Sequence, residues 1–159
     1  MSIKDYKAMP VYEYQNNQNR QNVDRAMKEA DNSPVKTSGF EVKYAAAAGK
    51  FDAKENAEGQ KLLQEAREEA KKVKDNVCKD YDNKKSELET KYKEAHEKVD
   101  EELKGRENKE AHNNLNNEQK REEAALDKQF NANINAVQEA ETKGEDRINS
   151  ENKSVARSI

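Results

Sequence analysis

The stretch KLLQEAREEAKKVKDNVCKDYDNKKSELETKYKEAHEKVDEEL, residues 61–103, decides how this chain folds. Its weakly apolar positions are Leu62, Ala66, Ala70, Val73, Val77 and Tyr81, then Lys84, then Leu88, Tyr92, Ala95, Val99 and Leu103. The steps run four, four and three residues and then repeat, an eleven-residue period. Such a period corresponds to about 3.67 residues per turn, so the stripe stays on one face of a straight or slightly right-handed helix. Lys84 is the one position that breaks it.

A second series follows at Leu115, Leu126, Val137 and Ile148, each eleven apart, with Gln119, Phe130 and Ile134 beside it. This series is one residue out of phase with the first. The slip falls near Gly105, in a polar stretch, 104–120, that holds Asn108, Asn113, Asn114, Asn116 and Asn117, all indifferent helix formers. Proline occurs only at Pro10 and Pro34, so nothing beyond Val35 forces a helix to stop by that mechanism. Two architectures fit: a continuous rod with a local irregularity, or a helical hairpin with arms near 59–104 and 116–143. At 1.5 Å per residue those arms would be roughly 70 Å and 40 Å long, leaving part of the first unmatched. Of the two, the rod is slightly favoured.

The helix surface carries its own support. Acid-then-base pairs four residues apart recur, among them Glu68 with Lys72, Asp75 with Lys79, Glu87 with Lys91, Glu94 with Lys98 and Asp100 with Lys104. In that orientation each pair adds roughly 0.2–0.5 kcal/mol to a helix in water. The stripe itself is narrow and rich in alanine and tyrosine. It suits close helix–helix contact or a loose oligomer better than a tight coiled coil, which needs Leu, Ile or Val at most seam positions.

Toward the N-terminus the chain divides differently. Residues 1–51 read as an extended docking segment with short helices, 52–144 as the long helical region with a break near 104–116, and 145–159 as a polar tail. Tyr6, Met9, Val11, Tyr12 and Tyr14 surround Pro10 and offer large contact area at low entropy cost. A short helix is expected over 22–31. A second is expected over 39–48, with Ser38 and Glu41 at capping-box spacing, Phe40 and Tyr44 stacked four apart, and Gly49 as its stop. Asp52 with Glu55 resembles another capping box, opening the long helix.

Composition bounds the fold class. Only 32% of the 159 residues are hydrophobic, 40% are charged, and Trp is absent. A globular domain is typically about 45–50% apolar, and too little apolar surface is present here to offset the entropy of a compact core. The 30 basic and 33 acidic side chains nearly cancel, to a net charge of −3. Interleaved charge at helical spacing favours solvated helix over disorder. The expected class is all-α: a long charged helix, rod or hairpin, with an irregular N-terminal segment, short helices and no compact globular core.

The same residues narrow the functional classes. His96 and His112 are sixteen apart and Cys78 is eighteen before His96, which is no metal-ligand spacing. Carboxylates are everywhere, but general acid–base work needs one held in a desolvated pocket. No phosphate-cradling glycine loop is present. A non-enzymatic chain with no cofactor and no metal is expected. No dense basic run favours direct nucleic-acid binding, and no run nears the roughly 20 apolar residues of a membrane span. The N-terminus has no apolar signal core, and the single cysteine, Cys78, forms no internal disulfide, so a soluble intracellular setting is expected, the cytoplasm or the inside of a viral particle. Cys78 reads as a passive small residue beside the stripe, or as a crosslink between paired helices.

The run from Ala53 to Val77, with AKENAE and EAREEAKKVKD, resembles the eleven-residue repeats of late embryogenesis abundant proteins over about a sixth of the chain. That resemblance implies a hydrophilic desiccation protectant. Tyr81, Tyr92 and Phe130 on the stripe, and the tyrosine-rich N-terminus, depart from it. The leading expectation is instead a structural or assembly protein, an accessory or scaffold inside a virion or along a cytoskeletal filament. It would bind protein partners or further copies of itself. Its interaction stripe would be Leu62, Ala66, Ala70, Val73, Val77, Tyr81, Leu88, Tyr92, Ala95, Val99, Leu103, Leu115, Leu126, Phe130, Ile134 and Val137, and its docking residues Tyr6, Met9, Val11, Tyr12, Tyr14, Phe40 and Tyr44. A third expectation is a regulator that inserts a helix into a partner enzyme.

Overall fold

The computed structural model describes residues 35–157, with side chains described to Glu151. The expected helix over 22–31 and the docking residues Tyr6, Met9, Val11, Tyr12 and Tyr14 lie outside them. The described chain is all-α: α1 is Ser38–Asp52, α2 is Asn56–Glu102 and α3 is Gly105–Arg157. Residues 145–157, set apart by composition as a tail, continue α3.

The caps correct the sequence reading in detail. Thr37, not Ser38, is the N-cap of α1, and its hydroxyl donates to Glu41 Oε2 at 3.0 Å. Gly49 does not stop the helix, which runs one turn further. Lys54, at φ 64°, stops it: the Glu55 N–H donates to Lys50 O (2.8 Å) and the Lys54 N–H to Phe51 O (3.0 Å). This is the Schellman arrangement, with a lysine where glycine is usual. Asp52 and Glu55 therefore close α1 and lead into α2; they are not a capping box.

Two compact units follow by contact, one comprising residues 35–80 with 130–157, the other built on 81–129. In the first, three helices pack. α1 runs antiparallel to α2, since Phe51 lies on Gly59 and Lys43 pairs with Glu69 at 2.8 Å. α3 lies antiparallel to α2, through Lys74–Glu141 at 3.1 Å and Arg67–Glu145 at 2.7 Å. The buried cluster is Phe40, Tyr44, Ala47, Ala48, Phe51, Leu63, Ala66, Ala70, Val137, Ala140 and Ile148. Phe40 and Tyr44, expected to face partners, are thus buried by this chain's own helices, their rings edge-to-face at 6.3 Å.

Tyr44 packs so closely on α3 that a Cβ at Gly144 would run into its ring. Gly144→Ala should therefore destabilise the protein by about 1–3 kcal/mol through overpacking, despite the better helix propensity of alanine. Gly49 is also helical, but a Cβ there meets nothing within 4 Å. Gly49→Ala should stabilise by about 0.5–1 kcal/mol. Urea unfolding of both variants checks the opposite signs.

The Tyr44 hydroxyl donates to Glu145 Oε1 at 3.0 Å, and Arg67 grips both oxygens of the same carboxylate at 2.7 and 2.9 Å. Burial, then this hydrogen bond to a carboxylate, push the Tyr44 phenol up to about 12. Its contribution to stability is complete below the unfolded phenol's value of about 10 and is lost as pH rises through the folded value. Thermal midpoints should therefore fall more steeply between pH 10 and 12 in the natural chain than in Tyr44→Phe.

In the unit built on 81–129 the chain reverses, and this corrects the balance toward a rod. α2 ends at Glu102, only Leu103 and Lys104 are non-helical, and Gly105 takes φ 63°. Asn108 Nδ2 donates to the Leu103 carbonyl (3.1 Å) and to Asp100 Oδ1 (3.0 Å), satisfying an acceptor freed by the break. The asparagine-rich stretch expected to interrupt the helix is helical. Tyr92, Ala95, Val99, Leu103, Ala111 and Leu115 form the buried cluster, with Leu88 packed against it. Two such clusters are present where composition led us to expect no core.

Candidate functional site

The 81–129 hairpin gathers the unusual chemistry. Its α3 face follows the buried positions Ala111, Leu115, Glu118, Glu122 and Ala125. Two carboxylates therefore lie in the seam, Glu118 at 5% and Glu122 at 6% exposure. Glu122 is held by Lys91, whose ammonium donates to both its oxygens at 2.9 and 3.0 Å. The same ammonium stands 5.1 Å from the Tyr92 ring centre, a cation–π contact. The Tyr92 hydroxyl is buried beside Glu122 without a hydrogen bond of standard geometry, and burial raises its pKa, with Glu122 adding to the effect.

Toward the other end of this unit the seam loosens. Lys84, which broke the stripe in the sequence, lines an open groove of about 230 Å³ with Leu88, Lys91, Glu122 and Leu126. Leu88 and Leu126 are half-buried there. Tyr81, also half-buried, donates its hydroxyl to Asp127 Oδ1 at 2.6 Å, and Lys85 stands 5.9 Å from its ring.

Toward the turn, His96 of α2 meets His112 of α3. Their Nδ1 atoms are 2.5 Å apart, the ring centres 4.8 Å, and the planes within 16°. The centre separation is the nitrogen separation plus the two centre-to-nitrogen radii, so both nitrogens lie on the line joining the ring centres. The rings therefore meet edge to edge in nearly one plane, and do not stack face to face. Of two such nitrogens one donates and the other accepts. His112 Nε2 lies 2.7 Å from Asp100 Oδ1 and donates to it, which makes His112 Nδ1 the acceptor and His96 Nδ1 the donor. Burial, then the neighbouring His112, lower the pKa of His96. Asn108 and His112 hold the Asp100 carboxyl below its usual range.

The expected stripe divides by burial. Ala66, Ala70, Val77, Tyr92, Ala95, Val99, Leu103, Leu115 and Val137 are buried; Leu62, Val73, Tyr81, Leu88, Leu126, Phe130 and Ile134 are half-buried. Leu63 takes the buried place assigned to Leu62. Among the described residues, no group of three or more His, Cys, Asp or Glu side chains is set to hold a metal ion, and no helix is long and apolar enough to cross a membrane. No protein-family model, curated protein or solved structure matches the chain.

Proposed function

We propose that this chain is a non-enzymatic helical structural or assembly protein, an accessory or scaffolding component inside a larger particle or filament, of the virion-internal or cytoskeletal kind. The observation that carries this reading is how the helices are built. α2 and α3 have 47 and 53 residues, yet their buried positions form one thin line in which alanines (Ala66, Ala70, Ala95, Ala111, Ala125, Ala140) alternate with Val, Leu and Ile, and Tyr92 is the one buried aromatic side chain among the described residues of these two helices. Such a chain invests its residues in helix length and charged surface rather than in enclosed volume. The aromatic-rich segment before Pro34, with Tyr6, Met9, Val11, Tyr12 and Tyr14, supplies contact residues for a protein partner. The charged outer faces keep the packed helices soluble until that contact is made.

Native-source lysate should carry the full chain in a fast-sedimenting fraction at a fixed ratio to one other protein, and deleting residues 1–34 should release it. A chain that sediments alone at its own mass would overturn this reading. Circular dichroism in dilute buffer separates it from the desiccation-protectant reading, which requires a coil spectrum that turns helical only on drying. The aromatic cluster of Phe40, Tyr44 and Phe51 favours helix in water.

A further inference from the structure

We propose that His96 and His112 form a binding site for a divalent transition-metal ion that prefers imidazole nitrogen, zinc or copper(II), held between the two Nδ1 atoms. Neutral imidazole is the commonest protein ligand of such ions. Here two of them converge from opposite helices onto one point, beside a connection of only Leu103 and Lys104 that fixes their separation. A tetrahedral ion with bonds of about 2.0–2.1 Å holds two nitrogens roughly 3.3 Å apart, so a small rotation of either ring opens the pair enough to admit it.

The outer shell is already in place. Asp100 accepts from His112 Nε2 at 2.7 Å, which fixes the tautomer and turns the Nδ1 lone pair toward His96. A carboxylate behind a histidine in this way orients it and raises its basicity as a ligand. Asp100 is itself held by Asn108, which also binds the Leu103 carbonyl, so the carboxylate is anchored to the turn. Its negative charge offsets part of the charge of the ion. The His112 side chain is 24% exposed, so water has access to complete the coordination.

Protons balance simply. The neutral pair carries one N–H on each ring, at Nδ1 of His96 and Nε2 of His112. On binding, the His96 proton moves from Nδ1 to Nε2 of the same ring, which also has Asn116 as a hydrogen-bond partner. Both Nδ1 lone pairs then face the ion, with no net proton released.

The test uses the untagged full chain, whose imidazole signals arise from only two histidines. At neutral pH, zinc chloride should shift the proton resonances of both rings together and saturate at one ion per chain. The thermal midpoint should rise with zinc concentration, as linkage requires of an ion bound only by the folded state. Copper(II) should give a paramagnetic resonance spectrum coupled to two imidazole nitrogens. His96→Gln or His112→Gln should abolish these effects, and Asp100→Asn should weaken zinc binding about tenfold or more without loss of helix. Imidazole resonances unmoved by zinc, or a zinc response that survives in the double His96→Gln/His112→Gln variant, would overturn the proposal. Because the resonance shifts are read on the natural sequence, the outcome does not depend on the variants folding.

Discussion

Tyr92→Ala should destabilise the 81–129 unit by about 3–5 kcal/mol, the usual cost of truncating a fully buried aromatic ring. Tyr92 is 1% exposed and the largest side chain in a cluster otherwise made of Ala95, Val99, Leu103, Ala111 and Leu115. Small neighbours cannot close over the space left, and Lys91 loses the ring face beneath its ammonium. Against a typical domain stability of about 5–15 kcal/mol, that loss is large. Tyr92→Phe gives the opposite test. It removes a buried hydroxyl that makes no good hydrogen bond, so it should be neutral or mildly stabilising. Chemical denaturation followed by circular dichroism reads both. A loss under about 1 kcal/mol in Tyr92→Ala would mean the ring is not sealed between the helices.

Lys91→Met carries the second large effect. It removes the partner of Glu122, whose side chain is only 7% exposed. Stranding a buried charge costs about 3–5 kcal/mol when both partners are enclosed. Lys91 is 31% exposed, so water reaches the site and screens part of that penalty; a loss of roughly 2–3 kcal/mol is expected after this discount. Replacing the pair by apolar residues of similar size, Lys91→Met with Glu122→Leu, should restore most of it, because two desolvated charges disappear together. The double-mutant cycle measures the coupling directly. If the double variant is no more stable than Lys91→Met alone, Glu122 contributes through packing and not through its charge.

Much of the helical content is legible in the residue spacing alone. The four-four-three steps place Ala66, Ala70, Val77, Tyr92, Ala95, Val99 and Leu103 on one face, and all are buried. Spacing cannot say what covers them, because a stripe looks the same whether its mate is another chain or a later part of this one. For Tyr92, Ala95, Val99 and Leu103 the mate is α3; Ala66 and Ala70 share theirs between α1 and α3, and Phe40 and Tyr44 are covered by the chain's own long helices. The phase slip marks the break, but asparagine content draws attention past it. The deciding residue is Gly105, whose positive φ lets the chain turn.

The polar seam is not legible by composition. In a chain with 40% charged residues, nothing marks Glu118 and Glu122 as different from other carboxylates. Their signal is positional: Leu115, Glu118, Glu122 and Ala125 follow steps of three, four and three along one helical face. The histidines give a signal only once the turn is known. Each lies eight residues from Lys104, so a reversal there brings them level. Metal-ligand spacing rules look for neighbours along one helix and pass over such a pair.

The discontinuity of the 35–80 and 130–157 unit has a consequence for how the protein is made. The hairpin closes first on neighbours, His96 on His112 at sixteen residues' separation and Lys91 on Glu122 at thirty-one. The other unit must join Arg67 to Glu145 and Tyr44 to Glu145, seventy-eight and one hundred and one residues apart. A ribosome delivers the whole of 81–129 before residues 130–159 are translated. A message cut short after that point would yield a chain with its turn intact and Tyr44 of α1 stripped of Gly144 and Glu145, a sticky product for chaperones and proteases to find.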